Sequence, residues 1–393
     1  MPESPSSPPL RVVHVVTGGF SGATQVAVDL CADQPADRTL LVLRRRRGDV
    51  STRVTKLRQL GLNVALVAQW PHWLTVWQLW RLLRRWRADV LLAHGFSDHL
   101  WARYAGLLAG VPHLVHVEHN VRERYGWWRR WQSLWLARHT DAIVGVSESV
   151  RQALIRLGHP AHRCVAIPNG IDLHRWATDG PPWHNRPAAI IMAARFARQK
   201  DHFTLIRAAH RLRERGTPMH VYLAGGGSQR WRRRAEALID ELRLREWVHV
   251  LGPVTDLPQR YHAARYCVLS SHYEGLPLSL VEGMAAGCCP IGSDVEGIRD
   301  VIVDGQSGRL FRAGDAEALA DALQELERDP QRAAQLAETA RHDALSRFHL
   351  DLMKQRYQIL LSWLVRHGPI DLTAADGAPP ELRPAGASTR TAD

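Results

Sequence analysis

Two glutamates, Glu274 and Glu282, are separated by seven residues in a segment that changes from strand to helix. The strand pattern ends at Ser270, Gly275-Leu276-Pro277 is typical of a turn, and a helix is predicted to begin near Leu278. The start of a helix binds phosphate through its free N–H groups and its dipole. The segment therefore indicates a phosphate site, with Glu282 suited to accept hydrogen bonds from ribose hydroxyls. Glu274 is suited either to sugar hydroxyls or to positive charge that develops near a reacting carbon.

Cations and glycines follow other predicted strands. Arg195 and Lys200 come after one strand, where a planar guanidinium and a point charge would suit a diphosphate, or where both would simply be solvated. Gly18-Gly19 and Gly225-Gly226-Gly227 follow two further strands. The first of these lacks the G-x-G-x-x-G spacing of dinucleotide sites. Each glycine segment is interpreted either as a phosphate contact or as a plain tight turn.

Tryptophan and arginine are concentrated in two segments of the first half of the chain. Three interpretations remain open: tryptophans packed in a core with solvated arginines, a helical surface on an anionic membrane, or a nucleic-acid groove. A run of four arginines, Arg44 to Arg47, adds to the positive charge. The residues assigned to membrane contact under the second interpretation are Trp73, Trp77, Arg81, Arg84, Arg85, Arg87, Trp127, Trp128, Arg129 and Arg130.

Predicted strands and helices alternate in two series, and such alternation favours parallel sheets covered by helices on both faces. The predicted fold class is α/β, with two doubly wound Rossmann-like domains facing a central cleft at the carboxyl ends of their strands. The predicted divisions are a disordered arm (1–9), an N-terminal domain (10–172), a linker (173–187), a C-terminal domain (188–344), a helical segment that crosses back to the first domain (345–368) and a disordered tail (369–393).

The composition excludes several classes of protein. With 393 residues, of which 45% are hydrophobic and 23% charged, the chain is globular rather than disordered, fibrous or a disulfide-stapled mini-domain. We expect no membrane-spanning helix and no signal peptide. Five cysteines without a C-x-x-C pair favour buried thiols in a reducing compartment. Residues 1–180 hold 23 Lys/Arg against 13 Asp/Glu, and 11 of the 15 tryptophans, which indicates an anionic partner for the first domain.

Taken together, these motifs resemble the retaining glycosyltransferases of the GT-B fold, in particular glycosyltransferase family 4. The pair Glu274 and Glu282 is similar to the family's E-x7-E signature, and residues 147–172 resemble its S-x-x-V … I-P-N-G-I-D stretch. The glycine segments, the Arg195/Lys200 pair and the loops at 293–297 and 304–308 resemble further family motifs. The chain departs from the family in having Asp300 where glutamate is usual and Gly226 where an acidic residue is frequent.

The resemblance implies roles for individual residues. Glu274 and His119 would be catalytic, and His94, which ends the preceding predicted strand, is the alternative to His119. His94 and Asn120 are assigned to acceptor contact. No metal is implied, and the sequence contains no D-x-D, so the two cations and the helix dipole would neutralise the diphosphate. The implied donor-binding residues are Gly18, Gly19, Arg195, Lys200, Gly225, Gly227, Gly275, Leu276, Leu278, Ser279 and Glu282.

The implied function is transfer of a sugar, with retention and without a cofactor, from a UDP- or GDP-type nucleotide sugar to a lipid-linked or glycan acceptor. Bacterial cell-surface polysaccharide or glycolipid synthesis is the expected setting. The protein would be cytoplasmic and peripherally attached to the inner face of the cytoplasmic membrane, with no nucleic-acid partner. The alternatives are a non-catalytic anion- or nucleic-acid-binding protein on the same scaffold, or a GT-B sugar epimerase.

Overall fold

The computed structural model describes residues 10–19, 21–32, 34–45, 50–95, 98–122, 126–177 and 180–384. The chain divides into two compact units. Unit 1 comprises Met1–Pro168 and Met353–Asp393, and unit 2 comprises Asn169–Leu352.

Unit 1 is built on a parallel sheet whose strands are almost entirely buried, because helices cover both faces. Valine- and leucine-rich runs such as Val-Val-His-Val-Val form these strands. The strands are β1 (Val12–Thr17), β2 (Thr39–Arg44), β3 (Val64–Val67), β4 (Val90–His94), β5 (His113–Glu118), β6 (Ala142–Gly145) and β7 (Cys164–Ala166). The helices are α1 (Gly22–Ala32), α2 (Val50–Gln59), α3 (His72–Trp86), α4 (Asp98–Ala109), α5 (Trp127–Ala137) and α6 (Glu148–Arg156).

Unit 2 repeats this plan with a second parallel sheet. Its strands are β8 (Ala189–Ala193), β9 (His220–Ala224), β10 (Val248–Gly252), β11 (Tyr266–Leu269), β12 (Cys289–Ser293) and β13 (Arg309–Phe311). Its helices are α7 (Leu173–Trp176), α8 (His202–Glu214), α9 (Gln229–Glu241), α10 (Leu257–His262), α11 (Leu278–Ala285), α12 (Ala316–Arg328) and α13 (Pro330–Arg347), followed by α14 (Leu350–His367), most of which belongs to unit 1.

Each sheet reverses its strand order once, which places a topological switch point in each unit. The order is β3-β2-β1-β4-β5-β6-β7 in unit 1 and β10-β9-β8-β11-β12-β13 in unit 2. The switch points are therefore between β1 and β4 and between β8 and β11. Ligands of doubly wound sheets bind outside the carboxyl ends of the strands at such points. The prediction of two doubly wound, Rossmann-like units is confirmed.

Three segments differ from the sequence prediction. Strand β7 was not predicted. The segment expected as a linker contains α7, where the Asp172 side chain caps the helix by accepting the His174 N–H and Trp176 is buried. Part of the expected tail packs on unit 1 instead: the Ile370 N–H donates to the Asp141 carbonyl at 3.0 Å, and Ile370 is fully buried. These few apolar side chains outweigh the Ala/Pro/Gly-rich composition around them.

Candidate functional site

The loop after β8 and the glycine loop after β9 lie against each other. Gly225 and Gly227 have φ values of 141° and 118°, which favour glycine. A Cβ on Gly225 would lie 2.2 Å from the Ala194 carbonyl oxygen, and one on Gly227 would lie 2.7 Å from the Phe196 backbone. The Phe196 N–H donates to the Gly226 oxygen at 2.7 Å. Both glycines thus allow two backbones to meet, and their contact with a donor stays a prediction.

Lys200 and Glu274 form an ion pair at the switch point of unit 2. The Lys200 Nζ lies 2.6 Å from Glu274 Oε1, and the two side chains are only 15% and 8% exposed. Two further bonds join the same loops: Gln199 Nε2 donates to the Tyr273 carbonyl at 2.7 Å, and the His272 N–H donates to the Gln199 carbonyl at 2.8 Å. The structure therefore brings together a cation predicted to bind phosphate and a carboxylate predicted to face sugar.

The start of α11 lies directly after this pair. Pro277 occupies the N-cap and has no side-chain hydrogen bond to the first turn of the helix, which leaves that turn without a side-chain cap. Gly297, at φ +68°, passes so close that a Cβ there would lie 2.5 Å from the Glu274 carbonyl oxygen. Arg195, two residues after β8, is exposed. The predicted residues Gly275, Leu276, Leu278 and Ser279 all belong to this turn and helix start.

Glu282 lies in the second turn of α11 and is mostly buried. Burial raises the pKa of its carboxyl to about 8, and the positive charge of Arg175 opposes this only in part. Beside it, the Tyr261 hydroxyl donates to the Ser279 carbonyl at 2.6 Å. Glu282 is therefore largely protonated at neutral pH in the free protein.

In unit 1, His119 and Asn120 follow β5, and their N–H groups donate to Glu118 Oε1 at 2.8 and 3.1 Å. His94, which ends β4, is fully buried. Its Nδ1 lies 3.4 Å from His119 Nε2, and its Nε2 lies 3.1 Å from His14 Nδ1. Burial lowers the pKa of both His119 and His14 to about 4, so these rings are neutral at pH 7. The predicted residues of this edge are thus joined in one hydrogen-bonded chain.

A buried polar cluster adjoins this chain. Arg103 donates through Nη2 to His99 Nδ1 at 2.6 Å, His99 stacks on His116 at 4.0 Å, and His116 Nε2 lies 3.6 Å from a Glu118 oxygen. Potential ligand atoms of His99, His116 and Glu118 all lie within 4.8 Å of one another. However, His99 Nδ1 accepts from Arg103, which leaves the ring proton on Nε2, and the guanidinium charge disfavours a second cation. The cluster is better explained as a buried charge network.

The Gly18-Gly19 loop is held by unit 1 itself. The Gly18 N–H donates to the Arg44 carbonyl at 2.8 Å. The Gly19 carbonyl accepts from Thr24 Oγ1 at 2.7 Å and from Arg53 Nη1 at 2.8 Å. The loop follows β1 at the switch point of unit 1, so it has the predicted position, and its donor contact stays a prediction. Of the predicted arginine run Arg44–Arg47, the last two lie outside the described residues.

Six of the eight tryptophans on α3 and α5 are exposed, while Trp80 and Trp86 of α3 are partly buried against the core. On α3, Trp73 is 71% and Trp77 46% exposed, whereas Leu79 and Leu83 enter the core. The interpretation of the α3 tryptophans as core residues is therefore wrong for these two. We call the exposed set the aromatic surface; it consists of Trp70, Trp73, Trp77, Leu108, Trp127, Trp128, Trp131 and Trp135.

Ring contacts connect the three helices beneath the aromatic surface. His72 of α3 stacks on Trp101 of α4 at 4.2 Å, and Tyr104 of α4 stacks on Trp135 of α5 at 6.0 Å. The predicted arginines Arg81, Arg84, Arg85, Arg87, Arg129 and Arg130 are all exposed on or beside α3 and α5. Isolated exposed tryptophans need no explanation, whereas several exposed tryptophans on neighbouring helices are typical of interaction sites. Their contact with a membrane stays a prediction.

Sequence reasoning did not find His14, Arg103 or Glu118. In the sequence, His14 is a single polar residue within an apolar strand, and Arg103 does not differ from other polar residues of a helix. The available signal was Glu118, a carboxylate at the last position of a buried strand, directly before His119. Burial raises the pKa of the Glu118 carboxyl. A carboxylate buried at a strand end therefore indicates hydrogen-bond donors or cations beside it.

Two family models match the chain. The model described as glycosyl transferases group 1 matches residues 179–343, and the model described as glycosyltransferase family 4 matches residues 13–175. Alpha-maltose-1-phosphate synthase from Mycolicibacterium smegmatis is 30% identical over 299 residues, covering 66% of this chain and 75% of that protein.

Two further proteins are similar to this chain, one in sequence over part of its length and one in fold. Glycogen synthase from Mycobacterium tuberculosis is 29% identical over 282 residues, or 67% of this chain, and the match spans 66% of the length of that protein. The crystal structure of Anabaena Alr3699/HepE in complex with UDP-glucose has a TM-score of 0.80 at 21% identity, covering 90% of this chain and 99% of that one. The second likeness shows that the two proteins share the GT-B fold.

Proposed function

Because this chain belongs to glycosyltransferase family 4, we propose that it transfers a sugar, with retention and without a metal, from a UDP-sugar to a lipid-linked acceptor at a membrane surface. One observation carries the proposal: the enclosed Lys200–Glu274 ion pair at the unit 2 switch point, beside the uncapped start of α11. A cation, a carboxylate and a helix N-terminus are the groups that a nucleoside diphosphate sugar requires.

The donor is held by unit 2. The Lys200 ammonium, the Arg195 guanidinium and the start of α11 bind the diphosphate. Together they supply the positive charge that stabilises the leaving group. When Lys200 turns to the phosphate, the Glu274 carboxylate is released toward the sugar. Glu282 accepts from the ribose hydroxyls. The choice of UDP rests on Anabaena HepE, whose crystal structure contains UDP-glucose on the same fold.

Glu274 acts on the reacting sugar. As the diphosphate leaves, positive charge develops at the anomeric carbon, and a nearby carboxylate stabilises that charge more in the transition state than in the bound donor. The acceptor hydroxyl adds on the face from which the diphosphate departs, and its proton passes to a leaving phosphate oxygen. His119, at the carboxyl end of its strand, contacts the sugar and the acceptor, and Asn120 extends that contact. The predicted acceptor contact of His94 is replaced by an indirect role, because His94 is fully buried and both of its ring nitrogens are hydrogen-bonded.

The aromatic surface of unit 1 supports a lipid-linked acceptor rather than a soluble glycan. Tryptophan rings favour the headgroup level of a bilayer, and arginines bind anionic lipid. Arg81 lies over the Trp77 ring at 5.8 Å and Arg84 over the Trp80 ring at 5.7 Å, so ring and charge are presented together. An apolar groove of 660 Å³ between α3 and α4, lined in part by Val76, Trp80 and Leu108, suits hydrocarbon. No helix among the described residues could cross a bilayer.

The test is transfer of radiolabelled glucose from UDP-glucose to lipid extracted from bacterial membranes, with EDTA present. We expect labelled lipid, lost in Glu274→Gln and in Lys200→Ala. Lys56→Ala is the matched control, since this exposed lysine lies on α2. Strict dependence on a divalent ion would contradict the metal-free proposal. Conversion of UDP-glucose to another UDP-sugar or to free glucose alone would favour an epimerase or a hydrolase.

The proposed membrane contact is tested with a matched pair of double variants. Arg84→Glu/Arg85→Glu alters two adjacent exposed arginines of α3, and Arg233→Glu/Arg234→Glu alters two adjacent exposed arginines of α9. Arg84 and Arg234 each lie over a tryptophan ring, so the two variants change charge and ring contact alike. Only the first should release the protein from vesicles that contain anionic lipid. Equal loss in both variants would show nonspecific charge attraction.

A further inference from the structure

The three histidines His14, His94 and His119 form a continuous chain of ring-to-ring hydrogen bonds inside unit 1. The two links measure 3.1 Å and 3.4 Å. They join nitrogens in a fixed order, Nδ1 of His14 to Nε2 of His94 and Nδ1 of His94 to Nε2 of His119. Because a neutral imidazole has one donor and one acceptor nitrogen, the direction of one link sets the direction of the other.

The free end of the chain is His119 Nδ1, which is enclosed and has no hydrogen-bond partner among the residues that the structure describes. A buried N–H without a partner is rarer in proteins than a buried lone pair without one. The hydrogen of His119 is therefore on Nε2, donated to His94 Nδ1, and His94 in turn donates from Nε2 to His14 Nδ1. His14, at the other end, lines a cavity of 390 Å³ together with Tyr357 and Lys354 of α14.

We infer that His14 is a positioning residue that, through His94, holds His119 in the Nε2–H tautomer, so that Nδ1 of His119 is presented as a hydrogen-bond acceptor for a sugar or acceptor hydroxyl. This inference rests on the proposed role of His119 at the reacting sugar. His14 itself touches no substrate. Burial lowers the pKa of His14 and of His119 to about 4. These rings are therefore neutral at pH 7.

Replacing His14 tests the direction of the chain. In His14→Phe the His94 Nε2–H loses its acceptor, so either direction of the remaining His94–His119 link leaves one buried N–H without a partner. The preference for the original direction is therefore lost, and about half of the His119 rings carry the hydrogen on Nδ1, where it blocks the acceptor position. In His14→Asn the amide oxygen replaces Nδ1 as acceptor, so the original direction persists. Val15→Ala is the matched packing control, because Val15 is a buried neighbour on the same strand and outside the chain.

The measurement is the long-range ¹H–¹⁵N NMR spectrum of the imidazole nitrogens in the full chain, with each ring assigned by its own substitution. We expect all three rings as Nε2–H in the wild type and in Val15→Ala, and a mixture of Nε2–H and Nδ1–H at His119 in His14→Phe. Transfer by His14→Phe should fall about twofold in kcat/KM, because about half of the molecules lack the acceptor nitrogen, with recovery in His14→Asn.

Two outcomes would overturn the inference: Nδ1–H at His119 in the wild type, or an unchanged His119 tautomer in His14→Phe. The wild-type spectrum decides the first point even if His14→Phe fails to fold. Failure of the proposed function can be distinguished from failure of this inference. If the wild type and every variant fail to transfer sugar, the proposed function is wrong, while the NMR spectra still report the tautomers of the three rings.

Discussion

Glu282 offers a sharp test of the electrostatics of unit 2. Its native pKa is raised by burial from the usual 4.5 to about 8. Between those values the native state holds more protons than the unfolded state, so the stability falls as the pH rises, by about 1.4 kcal/mol per pH unit. Relative to a neutral side chain, the cost of Glu282 is about 1 kcal/mol at pH 5 and about 4 kcal/mol at pH 8. Glu282→Gln, which keeps the shape of the protonated carboxyl, should remove this cost.

The assay is thermal unfolding between pH 5 and pH 8. For a unit of this size, each kcal/mol shifts Tm by about 3 °C, so Glu282→Gln should raise Tm by about 3 °C at pH 5 and by about 12 °C at pH 8. Glu338→Gln is the matched control, because Glu338 is exposed on α13, and its Tm should follow the wild type at every pH. An equal gain at both pH values would refute the buried, protonated carboxyl.

The remaining predictions concern catalysis and the membrane. Lys200→Ala and Arg195→Ala should each lower transfer by about 100-fold, as expected for loss of one preorganised donor to the leaving group; steady-state kinetics with UDP-glucose checks this, and activity near wild type would exclude a diphosphate contact. Glu274→Gln should reduce kcat while UDP binds normally, which calorimetry can verify, because its partner is the sugar. Arg84→Glu/Arg85→Glu should weaken vesicle binding by at least about 30-fold at low salt, since each arginine contributes about 1 kcal/mol. Sedimentation with anionic vesicles measures this, and binding insensitive to both the substitution and salt would contradict an electrostatic contact.

Much of the fold follows from local patterns in the sequence. Buried parallel strands such as Val12–Thr17 are short apolar runs, and glycines or turns separate them from helices, so their order along the chain is readable. Strand β7, Cys164–Ala166, was not predicted. Helix α7 and the packing of Ile370 depend on tertiary contacts that outweigh a composition typical of linkers and tails.

The candidate site was predictable only in part. Glu274, Lys200 and His119 follow strands at the expected places, and Glu282 lies in the helix after Glu274, because motif spacing determines their position along the chain. Their pairings could not be predicted, since the Lys200–Glu274 ion pair joins residues 74 positions apart. His14 is a comparable case: its partner His94 is 80 positions away, and only the sheet order β1-β4 brings the two together.

The measurement that tests the central claim most directly is the anomeric configuration of the product. UDP-glucose, an α-linked donor, would be incubated with the enzyme, bacterial lipid acceptor and EDTA, and the anomeric proton of the purified product would be examined by NMR. The Lys200–Glu274 site, with same-face attack and charge neutralisation by protein cations, predicts an α-linked product whose formation is lost in Glu274→Gln. A β-linked product, or no product until a divalent ion is added, would contradict it.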